Sequence, residues 1–133
     1  MKFGIANYID QEIKEKTSCI NKFSDELDSF FEKKFYSKEI DEVYFGFICV
    51  GEDGKFFFKP KKPRLSKKDK TFQFEHSFEI DDVKNYDENE LFSVIFDKLI
   101  EVPKLLPKRV VDFKTDEYIN DLNKFKSQYL KTM

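Results

Sequence analysis

The chain contains a single histidine, His76, and two cysteines, Cys19 and Cys49. One histidine excludes multi-histidine zinc sites, which draw two or three imidazoles to one ion. A nucleophile and base pair is conceivable, because Cys49 and His76 could lie on neighbouring strands. Yet His76 falls in the register of Phe72, Phe74 and Phe78, where a histidine is ordinarily a hydrogen-bonded core residue. Both cysteines sit in apolar stretches of a Lys- and Glu-rich chain, which reads as reduced, buried thiols and not as a disulfide framework. Asp81 and Asp82 are adjacent, with Glu79 two residues before Asp81. Paired carboxylates can bind a metal or share a proton. Aspartates after a strand also cap a turn or solvate its exit, and that is the simpler reading. Gly51 and Gly54 suit a hairpin turn better than a phosphate loop. The residues therefore predict no catalytic centre, no cofactor and no metal.

Charge placement is more informative than chemistry. Residues 55–70 hold eight cations against Asp69, a net +7, so the rest of the chain carries −9 of the overall −2. Lys61, Lys62, Arg64, Lys67 and Lys68 of this basic loop are the candidates for phosphate contact, with residues 56–58 available to stack on bases. Residues 75–90 carry seven acids against Lys84 alone. The sequence thus places a basic loop beside an acidic strand face and helix start. A triple Phe is more simply core, and the acidic surface repels nucleic acid, so a solvated Lys-rich turn is favoured over phosphate binding. An acidic face suits a basic protein partner, since complementary charge speeds association and fixes specificity. The candidate contacts are Glu75, Glu79, Asp81 and Asp82, with Tyr86 as an aromatic anchor.

The elements that must position these residues follow from periodicity. Residues 2–6 predict a short first strand. Ile9, Ile13, Ile20, Phe23, Leu27, Phe30 and Phe31 form one helical stripe, capped by Asn7 or Asp10 and loosened at Lys16, Thr17 and Ser18. Residues 42–50 are aromatic and β-branched on both faces and predict a central strand. A glycine turn leads to a return strand at 55–59, stopped by Pro60 and Pro63. Residues 71–80 alternate, with Gln73, Glu75, Ser77 and Glu79 on the polar side, as expected of an antiparallel strand covered on one face. Asp87 and Glu90 have capping-box spacing for a helix that runs to Pro103. Thr115 is the expected cap of a last helix with a stripe at Tyr118, Ile119, Leu122, Phe125 and Tyr129. The predicted fold is α+β, in the order β-α-β-β-β-α-α. It is a small antiparallel sheet of about four strands, with three helices mainly on one face.

A length of 133 residues fits a single domain over residues 1–133. The 17 Phe and 6 Tyr supply core despite 38% charged residues. The start of the chain lacks a signal-peptide run, and no stretch approaches the ~20 apolar residues of a membrane span, so cytoplasmic residence is expected.

The run Lys67-Lys68-Asp69-Lys70, the strand over 72–80, Ile80-Asp81-Asp82-Val83 and Tyr86-Asp87-Glu88-Asn89-Glu90-Leu91 opening a helix resemble the immunity-protein family numbered forty-four, of bacterial polymorphic toxin systems. The short first strand, long charged helix and aromatic strand fit the same pattern. The resemblance implies a non-enzymatic cytosolic inhibitor that binds and neutralises a cognate toxin domain, often a nuclease. The alternatives are a nucleic-acid-binding protein using the basic loop 55–70, or an adaptor of unknown partner.

Overall fold

The computed structural model describes residues 1–51 and 59–130. The return strand expected at 55–59 therefore lies almost wholly outside the described residues. The described order is β1 (Lys2–Ile9), a 3-10 turn (Gln11–Ile13), α1 (Lys16–Phe31), β2 (Glu42–Cys49), β3 (Arg64–Leu65), β4 (Thr71–Ser77), α2 (Ile80–Val83), α3 (Glu88–Leu99), α4 (Val102–Leu105) and α5 (Thr115–Tyr129).

The fold is α+β, but the sheet is mixed and not antiparallel, and the described helices number five, not three. Its order is β1-β2-β4-β3. β1 pairs parallel to β2, β2 parallel to β4, and only the two-residue β3 runs antiparallel to β4. The cause is chain length. An eight-residue strand spans about 26 Å, and the sixteen residues of α1 span about 24 Å. The helix thus returns the chain to the end where β1 began, and β2 must start beside it in the same direction. β3 and the turn 66–70 feed β4. Ser66 N donates to Thr71 O at 3.0 Å and Lys70 N to Ser66 O at 2.9 Å, and Lys70 takes a φ of 56° to close the turn.

Two boundaries move for tertiary reasons. β1 continues past Ala6, because Asn7, Tyr8 and Ile9 pair with Phe47, Ile48 and Cys49. The helical stripe consequently begins at Lys16, and Ile9 and Ile13 reach the core by other routes. Asp10 caps the 3-10 turn, its Oδ1 accepting from Glu12 N at 3.0 Å, and its Oδ2 accepts from Gly51 N at 3.1 Å. At α5 the cap position belongs to Lys114, and Thr115 is the first helical residue. α3 ends at Leu99, short of Pro103, which instead stands in the first turn of α4. The capping box of α3 is formed as expected. Asp87 Oδ1 accepts from Glu90 N at 2.8 Å, and Glu90 Oε1 from Asp87 N at 3.2 Å.

The helices pack on one face of the sheet. Phe3, Ile5, Val43, Phe45, Phe47, Phe72 and Phe74 share one buried cluster with Phe23, Leu27, Phe31, Ile95, Phe96, Tyr118 and Leu122. Phe23 lies at its centre, stacked on Phe92 at 4.9 Å and edge-on to Phe96 and Tyr129, each at 5.1 Å. Such ring pairs add to the burial energy. The outer edge of β1 is closed by α1: Phe3 N donates to Asp28 Oδ1 at 2.8 Å and Ile5 N to Ser24 Oγ at 3.0 Å. Side chains on a helix thereby satisfy amides that would otherwise template another strand.

Candidate functional site

The second face of the sheet is only partly covered. Its rows are Gly4-Tyr44-Gln73 and Ala6-Gly46-Glu75, with Tyr8 beside Ile48 at the next step. Ile48 is 1% exposed, whereas Tyr8 and Tyr44 are each 38% exposed. Parallel sheets are ordinarily covered on both faces, so exposed tyrosines on this one are a departure.

Two strand glycines shape this face. A Cβ added to Gly4 would lie 2.7 Å from Tyr44 Cε2, and one added to Gly46 would lie 2.8 Å from Glu75 Cγ. Without those atoms, the Tyr44 ring lies across β1 and the Glu75 side chain across β2. This is the usual meaning of glycine inside a strand: a close approach that a side chain would block. Lys61 N donates to Glu75 Oε1 at 2.8 Å, and Arg64 Nη2 donates to Gln73 Oε1 at 3.0 Å. Residues 61–64 thus form one wall of a cleft of about 190 Å³, with Ala6 and Gly46 at its floor and Tyr8 and Tyr44 opposite. Lys61, Lys62 and Arg64 bring three cations to it, and the only carboxylate among its described lining residues, Glu75, already accepts from a backbone amide.

The acidic candidates divide. Glu75 belongs to this cleft. Glu79 occupies the cap position of α2, and Asp81 and Asp82 stand in its first turn, beyond the C-terminal end of β4. Lys84 ties them to a residue the sequence did not mark, with Nζ 3.4 Å from Asp81 Oδ1 and 4.0 Å from Glu12 Oε1. Asp10 stands at the same end, where its two amide contacts hold its carboxyl below the ordinary carboxylate range. Tyr86 is half-buried and packs against the core, and its carbonyl accepts from Lys16 Nζ at 2.7 Å.

The basic candidates divide as well. Lys61, Lys62 and Arg64 line the cleft. Lys67 and Lys70 lie instead near Lys38, Glu39 and Arg109 at the opposite end of β4. Lys68 is exposed in the same turn. Arg109 Nη1 pairs with Glu39 Oε2 at 2.9 Å, and Nη2 donates to Leu65 O at 3.0 Å. Seven residues of β4 span about 23 Å, so the turn 66–70 and the acids of α2 lie at opposite ends of one strand. The turn 66–70, with Lys67, Lys68 and Lys70, is thus not beside the acidic helix start. Direct contact between the two charge runs is made by Lys61 on Glu75.

Cys49 and His76 do lie on neighbouring strands, but His76 pairs with Phe47, two residues away. Cys49 is buried, and the His76 ring meets Phe78 edge-on at 4.7 Å. Burial and then Lys98 lower the His76 pKa, against a smaller opposing effect of Glu101. His76 lines neither of the depressions described above. Among the described residues no group of three His, Cys, Asp or Glu side chains could hold a metal. Nor is any described helix long and apolar enough to cross a membrane.

Sequence reasoning missed Tyr8, Tyr44, Gly4, Gly46 and Glu12. The available signal was glycine inside two strand patterns, Gly4 next to Phe3 and Gly46 between Phe45 and Phe47.

Comparison with curated proteins and with solved structures returned no match. The family model described as immunity protein 44 matches residues 1–128, nearly the whole chain. Immunity proteins in general neutralise a toxin and are generally not enzymes. The chain belongs to the immunity protein 44 family.

Proposed function

We propose that this chain is a bacterial, cytoplasmic, single-domain immunity protein of a polymorphic toxin system. On this reading it neutralises a nuclease toxin by covering the toxin's basic, nucleic-acid-binding surface. No cofactor takes part. The observation that carries the reading is the collection of Glu12, Glu79, Asp81 and Asp82 at one end of the sheet, with Lys84 bridging Glu12 and Asp81. A nuclease groove is positively charged because it must hold phosphates, and an acidic end complements it. Complementary charge of this kind acts mainly on the association rate.

The test is co-expression of the cognate toxin domain with wild type and with a triple charge reversal at Glu12, Asp81 and Asp82. Wild type should restore growth. The triple variant should associate about 10- to 100-fold more slowly at low salt and protect poorly. Equal protection and equal association by the two proteins would refute this placement. Binding of nucleic acid by the purified chain, abolished by reversing Lys61, Lys62, Lys67 and Lys68, would favour the nucleic-acid reading.

A further inference from the structure

The cleft on the second face of the sheet has a size and a charge that define one kind of occupant. A cavity of ~150 Å³ accommodates a benzene ring, and sites for small-molecule ligands usually run from about 300 Å³ upward. At about 190 Å³ the cleft fits one side chain and not a nucleotide. Among the described lining residues Lys61, Lys62 and Arg64 outnumber Glu75, whose carboxylate is already engaged by an amide, so their unmatched charge is positive. Arg64 is held at one amino group by Gln73, which orients the rest of its planar fork. Tyr44 is fixed over Gly4 yet 38% exposed, so it offers an ordered aromatic wall at little entropic cost.

We propose that the cleft receives a single Asp or Glu side chain of the toxin. Its carboxylate meets Arg64 and the two lysines, and its stem packs beside Tyr44. This rests on the toxin-binding reading above and deepens it. The acidic end covers a basic toxin surface, and the cleft anchors one acidic residue next to that surface. The two contacts have opposite polarity, so together they fix the orientation of the complex.

The experiment is calorimetric titration of the cognate toxin domain into wild type, Arg64→Glu, Gly46→Ala and the acidic-end triple variant. Circular dichroism confirms the fold of each. Arg64 is exposed on a two-residue strand, so Arg64→Glu should fold normally. Gly46→Ala displaces the Glu75 side chain that lies over Gly46 and so disturbs the cleft wall without altering charge. Arg64→Glu should weaken binding at least about 100-fold, and Arg64→Lys should recover only part of it, because the fork is lost. Changing one toxin Asp or Glu to Arg should restore affinity for Arg64→Glu. Unchanged affinity of both Arg64→Glu and Gly46→Ala, with the acidic-end triple weakened, would overturn the cleft assignment alone. Failure of wild type to bind the toxin domain would overturn both readings. Shifts of the Tyr44 and Gly46 resonances with inorganic phosphate, while Arg64→Glu leaves toxin affinity intact, would reassign the cleft to a phosphate ligand and overturn the proposal.

Discussion

The contact of Tyr44 with Gly4 can be isolated by a double-mutant cycle. In Gly4→Ala the new Cβ would fall 2.7 Å from Tyr44 Cε2 and 2.9 Å from Cδ2, well inside ordinary contact. The ring must lift off β1. Overpacking of this type costs about 1–3 kcal/mol. Tyr44 is 38% exposed and can swing toward solvent, so the lower half of that range applies, about 1–2 kcal/mol. Against this, alanine in a strand interior is better than glycine by about 0.5 kcal/mol, the low end of the usual range, because the unfolded chain has less freedom to lose. The single variant should therefore lose about 0.5–1.5 kcal/mol. With Tyr44→Ala already in place the obstacle is gone, and adding Gly4→Ala should then stabilise by about 0.5 kcal/mol. The coupling between the two sites is about 1–2 kcal/mol, well above the ~0.3–0.5 kcal/mol scatter of independent sites. Urea unfolding followed by far-UV circular dichroism measures all four proteins, since tyrosine fluorescence would change with the mutation itself. Additive effects of the two substitutions would show that the ring does not rest on Gly4, and the account of the cleft's aromatic wall would fail with it.

Two further outcomes follow from local geometry. Asp87→Ala removes the acceptor that Glu90 N uses at 2.8 Å and should cost about 1 kcal/mol, read as a lower urea midpoint with an unchanged slope; no change would mean that α3 is held by packing alone. Asp112 accepts from Ser37 Oγ at 2.6 Å and Lys38 N at 3.0 Å, and these bonds hold its carboxyl below the ordinary carboxylate range. In the acid range the unfolded state then binds more protons than the folded one. This stability is present above the unfolded carboxylate pKa and lost as pH falls through the folded one. Unfolding measured between pH 5 and about pH 2 should show a shallower acid loss for Asp112→Asn than for wild type, and parallel curves would contradict the assignment.

The alternation at Phe72, Phe74 and His76, the stripe of α1 from Ile20 to Phe31 and the capping box at Asp87 were legible because each is a local property. They depend on the period of a strand or helix, or on a side chain reaching three residues along its own backbone. The family resemblance was legible for the same reason, in short runs of neighbouring residues. Strand direction was not legible. Alternation records which face is buried and carries no information about the direction of the neighbouring strand. That was set by the return of α1 beside β1 and by the turn 66–70 that leads β3 into β4. The length of β1 was hidden too, since Asn7, Tyr8 and Ile9 take strand geometry only through pairing with Phe47, Ile48 and Cys49.

The charges make the same division clearest. Composition fixed that residues 55–70 are strongly basic and 75–90 strongly acidic, because charge is counted along the chain. Only the tertiary structure decided which of them meet. β4 is long enough to carry Lys67 and Lys70 to one end and Asp81 and Asp82 to the other, while its pairing with β3 and the Lys61–Glu75 contact draw Lys61, Lys62 and Arg64 over the second face of the sheet. A cleft assembled from β1, β2, β4 and a connecting segment has no sequence spacing of its own, so its residues became neighbours only when the parallel register placed Gly4 beside Tyr44 and Gly46 beside Glu75.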